Sequence, residues 1–105
     1  MAYDEALAAK LRALVPDATE KAMFGGLAFI VGGNMVVAAG GRGGLLVRVD
    51  PEQSDELVRT TAAEPMVMRG RAMRGWLRVP PPARDAELAE WVERGVGYAR
   101  TLPPK

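Results

Sequence analysis

The chain predicts an α+β domain: a two-layer antiparallel sheet with helices mainly on one face, in the order α-β-β-β-α-β-β-α. Three observations make that prediction. Near the C-terminus, Leu88, Trp91, Val92, Gly95, Val96, Ala99 and Leu102 recur at helical spacing. From Met23 to Val49, apolar runs alternate with two glycine-rich turns, the pattern of a β-meander. Prolines stand at Pro16, Pro51, Pro65 and Pro80-Pro81-Pro82, where one type of element should give way to the next.

Asp4 is placed to cap a first helix whose stripe is Leu7, Leu11, Leu14 and Val15, with Tyr3 extending it backwards. Pro16-Asp17 should end that helix, because the residue before proline is pushed out of the α region. The meander predicts strands near 22–31, 35–39 and 45–49. Gly32-Gly33-Asn34 and Gly40-Gly41-Arg42-Gly43-Gly44 offer the positive-φ positions that tight turns need. Asp50-Pro51-Glu52-Gln53 reads as a helix start, with Asp50 as N-cap and Gln53 completing a capping box. Leu57, Val58 and Thr61 should face inward from this short second helix. Met66-Val67-Met68 and Trp76-Leu77-Arg78-Val79 read as strands joined by the basic stretch 69–75. The proline triplet stops the sheet, and Asp85 is the expected N-cap of the last helix. Within that helix Gly95 lies on the buried stripe, where it would permit close packing, whereas nothing in the sequence explains Gly97.

At 105 residues the chain is one domain in size, 1–105, able to bury roughly 65% of its unfolded surface. A net charge of +1 gives no global basic field. There is no cysteine, and therefore no disulfide, thiolate nucleophile or cysteine metal site. There is no histidine either, which removes the commonest general base and transition-metal ligand. Ser54 is the only serine and stands in a helix without a partner base. Asp50, Glu52 and Asp55 are close in sequence, but capping accounts for Asp50. No catalytic residue, metal site or cofactor is expected. The start lacks the features of a signal peptide, and no apolar run approaches the ~18 residues of a membrane span. The expectation is a soluble cytoplasmic protein without membrane contact.

The meander is the most informative segment, because its first two strands are apolar on both faces. A three-residue first turn would put Leu27, Phe29 and Val31 on one face with Met35, Val37 and Ala39. A two-residue turn would put them with Val36 and Ala38 instead. Either register leaves a second apolar face, and Ala28, Ile30, Val36 and Ala38 are its candidate partner residues. That face is covered either within the chain or by another molecule, a homodimer partner or a different protein. The glycine clusters match no phosphate-loop pattern and read as turns; Gly25-Gly26 reads as a bulge or close backbone approach.

The strongest polar signal is basic. No acidic residue lies between Glu64 and Asp85, while Arg69, Arg71, Arg74 and Arg78 accumulate, with Arg84 beyond them. Trp76 shares a strand face with Arg78 and offers a ring for stacking. Those arginines are candidate nucleic-acid contacts. The alternative is a solvated hairpin paired with Glu87, Glu90 and Glu93, with Trp76 in the core.

Met23-Phe24-Gly25-Gly26-Leu27-Ala28-Phe29, Gly33-Asn34-Met35 and Met73-Arg74-Gly75-Trp76 resemble the N-terminal domain family of the TfoX/Sxy competence regulators. The C-terminal segment from Trp91 to Lys105 is similar to small stand-alone members. The resemblance covers essentially the whole chain and implies a secretion-chaperone-like arrangement. It supplies no catalytic residues; Met23, Phe24, Gly25 and Gly26 match its motif and read as fold-forming. The longer regulators act in transcription through other proteins and carry a further helical domain. The resemblance therefore implies a non-enzymatic regulatory or adaptor domain acting by protein contact. A nucleic-acid accessory module and a small-ligand domain with a pocket between sheet and last helix are the alternatives.

Overall fold

A computed structural model of the chain describes residues 4–23, 26–40, 44–82 and 84–103. The elements are α1 (Glu5–Leu14), β1 (Thr19–Met23), β2 (Gly26–Val31), β3 (Asn34–Ala39), β4 (Leu45–Arg48), α2 (Pro51–Thr60), β5 (Glu64–Met68), β6 (Arg71–Val79) and α3 (Asp85–Ala99). The α+β class stands, with one strand more than the sequence predicts. The sheet is antiparallel and six-stranded, in the order β1-β2-β3-β4-β6-β5. The expected first strand is two: Thr19 to Met23 folds back on Gly26 to Ile30 and forms one edge. The expected basic loop is also largely strand, since only Arg69 and Gly70, both at positive φ, form the β5–β6 turn.

Asp4 caps α1 as the sequence predicts, its Oδ1 accepting from the Leu7 amide at 3.1 Å. Asp50 caps α2, accepting from the Glu52 amide at 2.9 Å, with Pro51 in the first turn. Asp85 does not cap α3. The N-cap is Arg84, without a side-chain bond, and Asp85 is the first helical residue, paired with Lys10 at 2.9 Å. Leu14 also leaves the predicted stripe: Leu7, Ala8 and Leu11 are buried on α1 and Leu14 is exposed.

All three helices pack on one face. α3 crosses β3 and β4, α1 covers β2 and β3, and α2 lies over β6 and β5. Between them Leu11, Phe29, Val37, Val47, Val49 and Leu77 are essentially inaccessible, each contributing about 1.5–3 kcal/mol by burial. Among the described residues, no helix is long and apolar enough to cross a membrane.

The two alternative registers of the meander are both realised. Gly32 and Gly33 have φ of 61° and 81° and form a two-residue turn that pairs Val31 with Asn34. Two residues beyond Asn34 the parity changes, because Phe29 pairs with Val37 but Ile30 with Met35. Val36 is the extra residue of a β-bulge, and it turns into the helix-side core beside Val37. Near the turn the strands follow the two-residue parity, and beyond the bulge they follow the three-residue one.

The bulge also positions α3. A Cβ on Gly95 would stand 2.8 Å from the Val36 carbonyl oxygen and 2.9 Å from its Cγ1, so only glycine lets the helix approach this closely. Gly95 is thus explained by close packing. Nothing in the structure explains Gly97, whose Cβ would meet no atom within 4 Å.

Candidate functional site

The helix-free face of the sheet carries its own apolar cluster: Ala28, Met35 and Ala38 are buried, and Ile30, Leu46 and Trp76 are half-buried around them. No helix contributes to this cluster. Antiparallel pairing explains its membership, because directly opposed residues share a face. Ala28 opposes Ala38, Ala38 opposes Leu46, and Ile30 opposes Met35. The larger side chains close over the two alanines, so Ile30, Leu46 and Trp76 form the accessible apolar surface.

Three of the four predicted partner-face residues, Ala28, Ile30 and Ala38, lie here. Val36 does not: the bulge rotates it to the opposite face, where it is fully buried. Met35 takes its place, and Leu46 and Trp76 complete a surface that sequence reasoning missed. A signal for Leu46 was present in Leu45-Leu46-Val47-Arg48-Val49, since alternate residues Leu45, Val47 and Val49 are buried.

The rim of this face is basic. Lys21 opposes Ala28, Arg78 opposes Leu46, and Arg48 opposes Trp76. The Arg48 guanidinium carbon lies 5.1 Å from the centre of the Trp76 ring and 5.7 Å from that of Tyr98, which reaches it from α3. Both distances are within cation–π range, and aromatic contact restrains the guanidinium plane. Glu64 opposes Arg78 from β5 and is the acidic residue among the described strand positions paired around this face.

The predicted basic contact is not one patch. Arg69 is in the β5–β6 turn, Arg71 and Arg74 are exposed on β6, and Arg78 stands far along the same strand. Seven extended residues separate Arg71 from Arg78, up to about 23 Å. The ion pairs among the described residues are Lys10–Asp85, Arg12–Glu20 and Arg59–Glu56, so the expected pairing with Glu87, Glu90 and Glu93 is not formed. Trp76 is half-buried on the open face rather than in the helix-side core.

Other candidates resolve as structural features. Ser54 is buried and its hydroxyl accepts the Gly75 amide at 3.4 Å, which holds α2 to β6 at a residue with φ of 88°. A cleft of about 160 Å³ lies between the starts of α1 and α3, lined by Asp4, Leu7, Lys10, Pro82, Arg84 and Asp85. It is smaller than ordinary ligand pockets and does not lie between sheet and last helix. Of the family-like motif, Met23 ends β1 and Gly26 begins β2. A Cβ on Gly26 would collide with the Ala39 carbonyl oxygen, so this glycine is required by the sheet itself. Phe24, Gly25 and the centre of the Gly40–Gly44 turn lie outside the described residues.

The family model described as TfoX N-terminal domain matches residues 10–99. No curated protein and no solved structure matches.

Proposed function

The chain belongs to the TfoX N-terminal domain family, and on that premise we propose a non-enzymatic regulatory or adaptor domain that binds protein across the helix-free face of its sheet. One observation carries the reading: Ile30, Leu46 and Trp76 form an accessible apolar surface over buried Ala28, Met35 and Ala38, to which no helix among the described residues contributes. A chain without histidine or cysteine, whose single serine anchors a backbone amide, is poorly equipped for acid–base or nucleophilic chemistry. The setting in transcription regulation follows from the resemblance to the competence regulators.

Ile30→Glu tests the reading. A carboxylate at a half-buried position on this face should leave the fold intact and abolish association. Sedimentation at micromolar concentration separates a second copy from a different protein, and comparative capture from the native cell identifies the latter. A strict monomer whose captured proteins are the same with and without the substitution refutes the partner face.

A second reading draws on Arg69, Arg71 and Arg74, which are exposed and take part in none of the ion pairs among the described residues. A nucleic-acid module built on them would bind with steep salt dependence. No retardation of labelled DNA or RNA at low salt eliminates it.

A further inference from the structure

We propose that the occupant of the open face is an acidic, amphipathic segment of a different protein, anchored by a carboxylate on Arg48. This rests on the partner-face reading and adds the chemistry of the partner to it.

The charge distribution selects the occupant. Lys21, Arg48 and Arg78 border Ala28, Trp76 and Leu46 respectively, against one carboxylate, Glu64, among the described strand positions paired around them. None of these cations is in the ion pairs among the described residues. A second copy related by a two-fold axis would set this net-positive patch against an identical net-positive patch, and like charges brought together across an interface are costly. Nucleic acid fits poorly for a different reason. Ile30 and Leu46 lie among the cations and would be pressed against sugar–phosphate, which is mostly charged and polar and offers little apolar surface in return. A segment with alternating apolar and acidic side chains meets both requirements: its apolar residues cover Ile30, Leu46 and Trp76 while its carboxylates reach the rim.

Arg48 is the natural anchor within that rim. It is half-buried and packed against Trp76 and Tyr98, so its guanidinium plane is restrained before any partner arrives. A restrained fork loses less freedom when it accepts a carboxylate in the two-bond arrangement. Lys21 and Arg78 are exposed and supply steering rather than an anchor.

The test uses the full chain, isotopically labelled, and three probes: a short synthetic Leu/Phe/Asp/Glu amphipathic peptide set, the same set with Lys replacing the acids, and a single-stranded DNA oligomer. The chain carries its own control, because Trp76 is on the open face and Trp91 is buried under α3. The expected result is movement of the Trp76 indole and Arg48 Nε–H signals with the acidic set, while Trp91 stays still and the basic set is silent. Arg48→Lys should weaken that binding about tenfold or more, the worth of one charge-assisted hydrogen bond. Arg71→Ala should leave it unchanged. Equal response to acidic and basic peptides, a larger response to DNA, concentration-dependent movement of Trp76 without any probe, or an Arg48→Lys chain that binds as before overturns the proposal. If Ile30→Glu abolishes association while the acidic set leaves Trp76 unmoved, the partner face survives and its acidic occupant does not; if both fail, the face itself is refuted.

Discussion

Gly95→Ala and Gly97→Ala are the same chemical change two residues apart on one helix, and the structure requires them to have unequal effects. Each gains up to about 1 kcal/mol of helix propensity. At Gly97 nothing opposes that gain, because the new Cβ has no neighbour within 4 Å. At Gly95 the new Cβ lies 2.8 Å from the Val36 carbonyl oxygen, 2.9 Å from Val36 Cγ1 and 3.4 Å from the Arg48 carbonyl oxygen. Carbon–carbon contact is comfortable from about 3.5 Å, so α3 must retreat by roughly 0.6 Å from a strand it cannot deform locally. Overpacking of that kind costs about 1–3 kcal/mol. Because the propensity term is common to both variants, their difference isolates the packing term. For a domain of this size it should separate the melting temperatures by about 4–12 °C, with Gly97→Ala above the wild type and Gly95→Ala below Gly97→Ala by that margin. Calorimetry or urea melts with unchanged m-value would measure it. If the two variants melt within about 2 °C of one another, α3 does not rest on the Val36 bulge and the account of Gly95 is wrong.

Two further predictions follow from local geometry. Asp50→Ala should cost about 1 kcal/mol, because it removes the acceptor of the Glu52 amide; Asp85→Ala should cost only a few tenths, since Asp85 caps nothing and its pair with Lys10 is exposed. Paired urea melts compare them, and equal losses would mean that Asp85 does cap α3. Arg12 donates two hydrogen bonds of 2.7 Å to Glu20, and these, opposed by desolvation and aided by the guanidinium charge, lower the Glu20 carboxyl below its ordinary value of 4.5. A depressed folded-state pKa gives stability that is present above the unfolded value and lost as pH falls through the folded one. Wild type should therefore melt above Glu20→Gln at neutral pH, and the two curves should converge below pH 4.5; a gap unchanged into acid would refute the ion pair's role.

What could be read from the sequence was whatever local chemistry decides. The stripe of α3, the caps Asp4 and Asp50 and the glycine turn at Gly32-Gly33 depend on neighbours in sequence, and all were legible. β1 was not. Thr19-Glu20-Lys21 has no apolar alternation and lies ahead of the strand predicted near 22–31; it becomes a strand because Ala28 to Ile30 offer it an edge. The same applies to Arg71 to Met73, whose strand character comes from pairing with Met66, Val67 and Met68. Val36 was illegible for a sharper reason. Its bulge contains neither glycine nor proline, so nothing in Met35-Val36-Val37 marks the point at which the parity of β3 changes.

That unmarked bulge links the core to the candidate site. By turning Val36 inward it leaves Met35 and Ala38 on the open face and carries the carbonyl against which Gly95 packs. Gly95 in turn lies beside the Arg48 carbonyl, and Tyr98, one helical turn along, has its ring 5.7 Å from the Arg48 guanidinium. The cation proposed to receive the partner's carboxylate is thus held through its backbone by the helix-side core and through its side chain by Trp76 and Tyr98. Displacing α3 should loosen Arg48 without touching the open face. Gly95→Ala should consequently weaken acidic-peptide binding at temperatures where the chain is still fully folded, and Gly97→Ala should not. A Gly95→Ala chain that is less stable yet binds as well as wild type would separate the two roles and show that Trp76 alone suffices to orient Arg48.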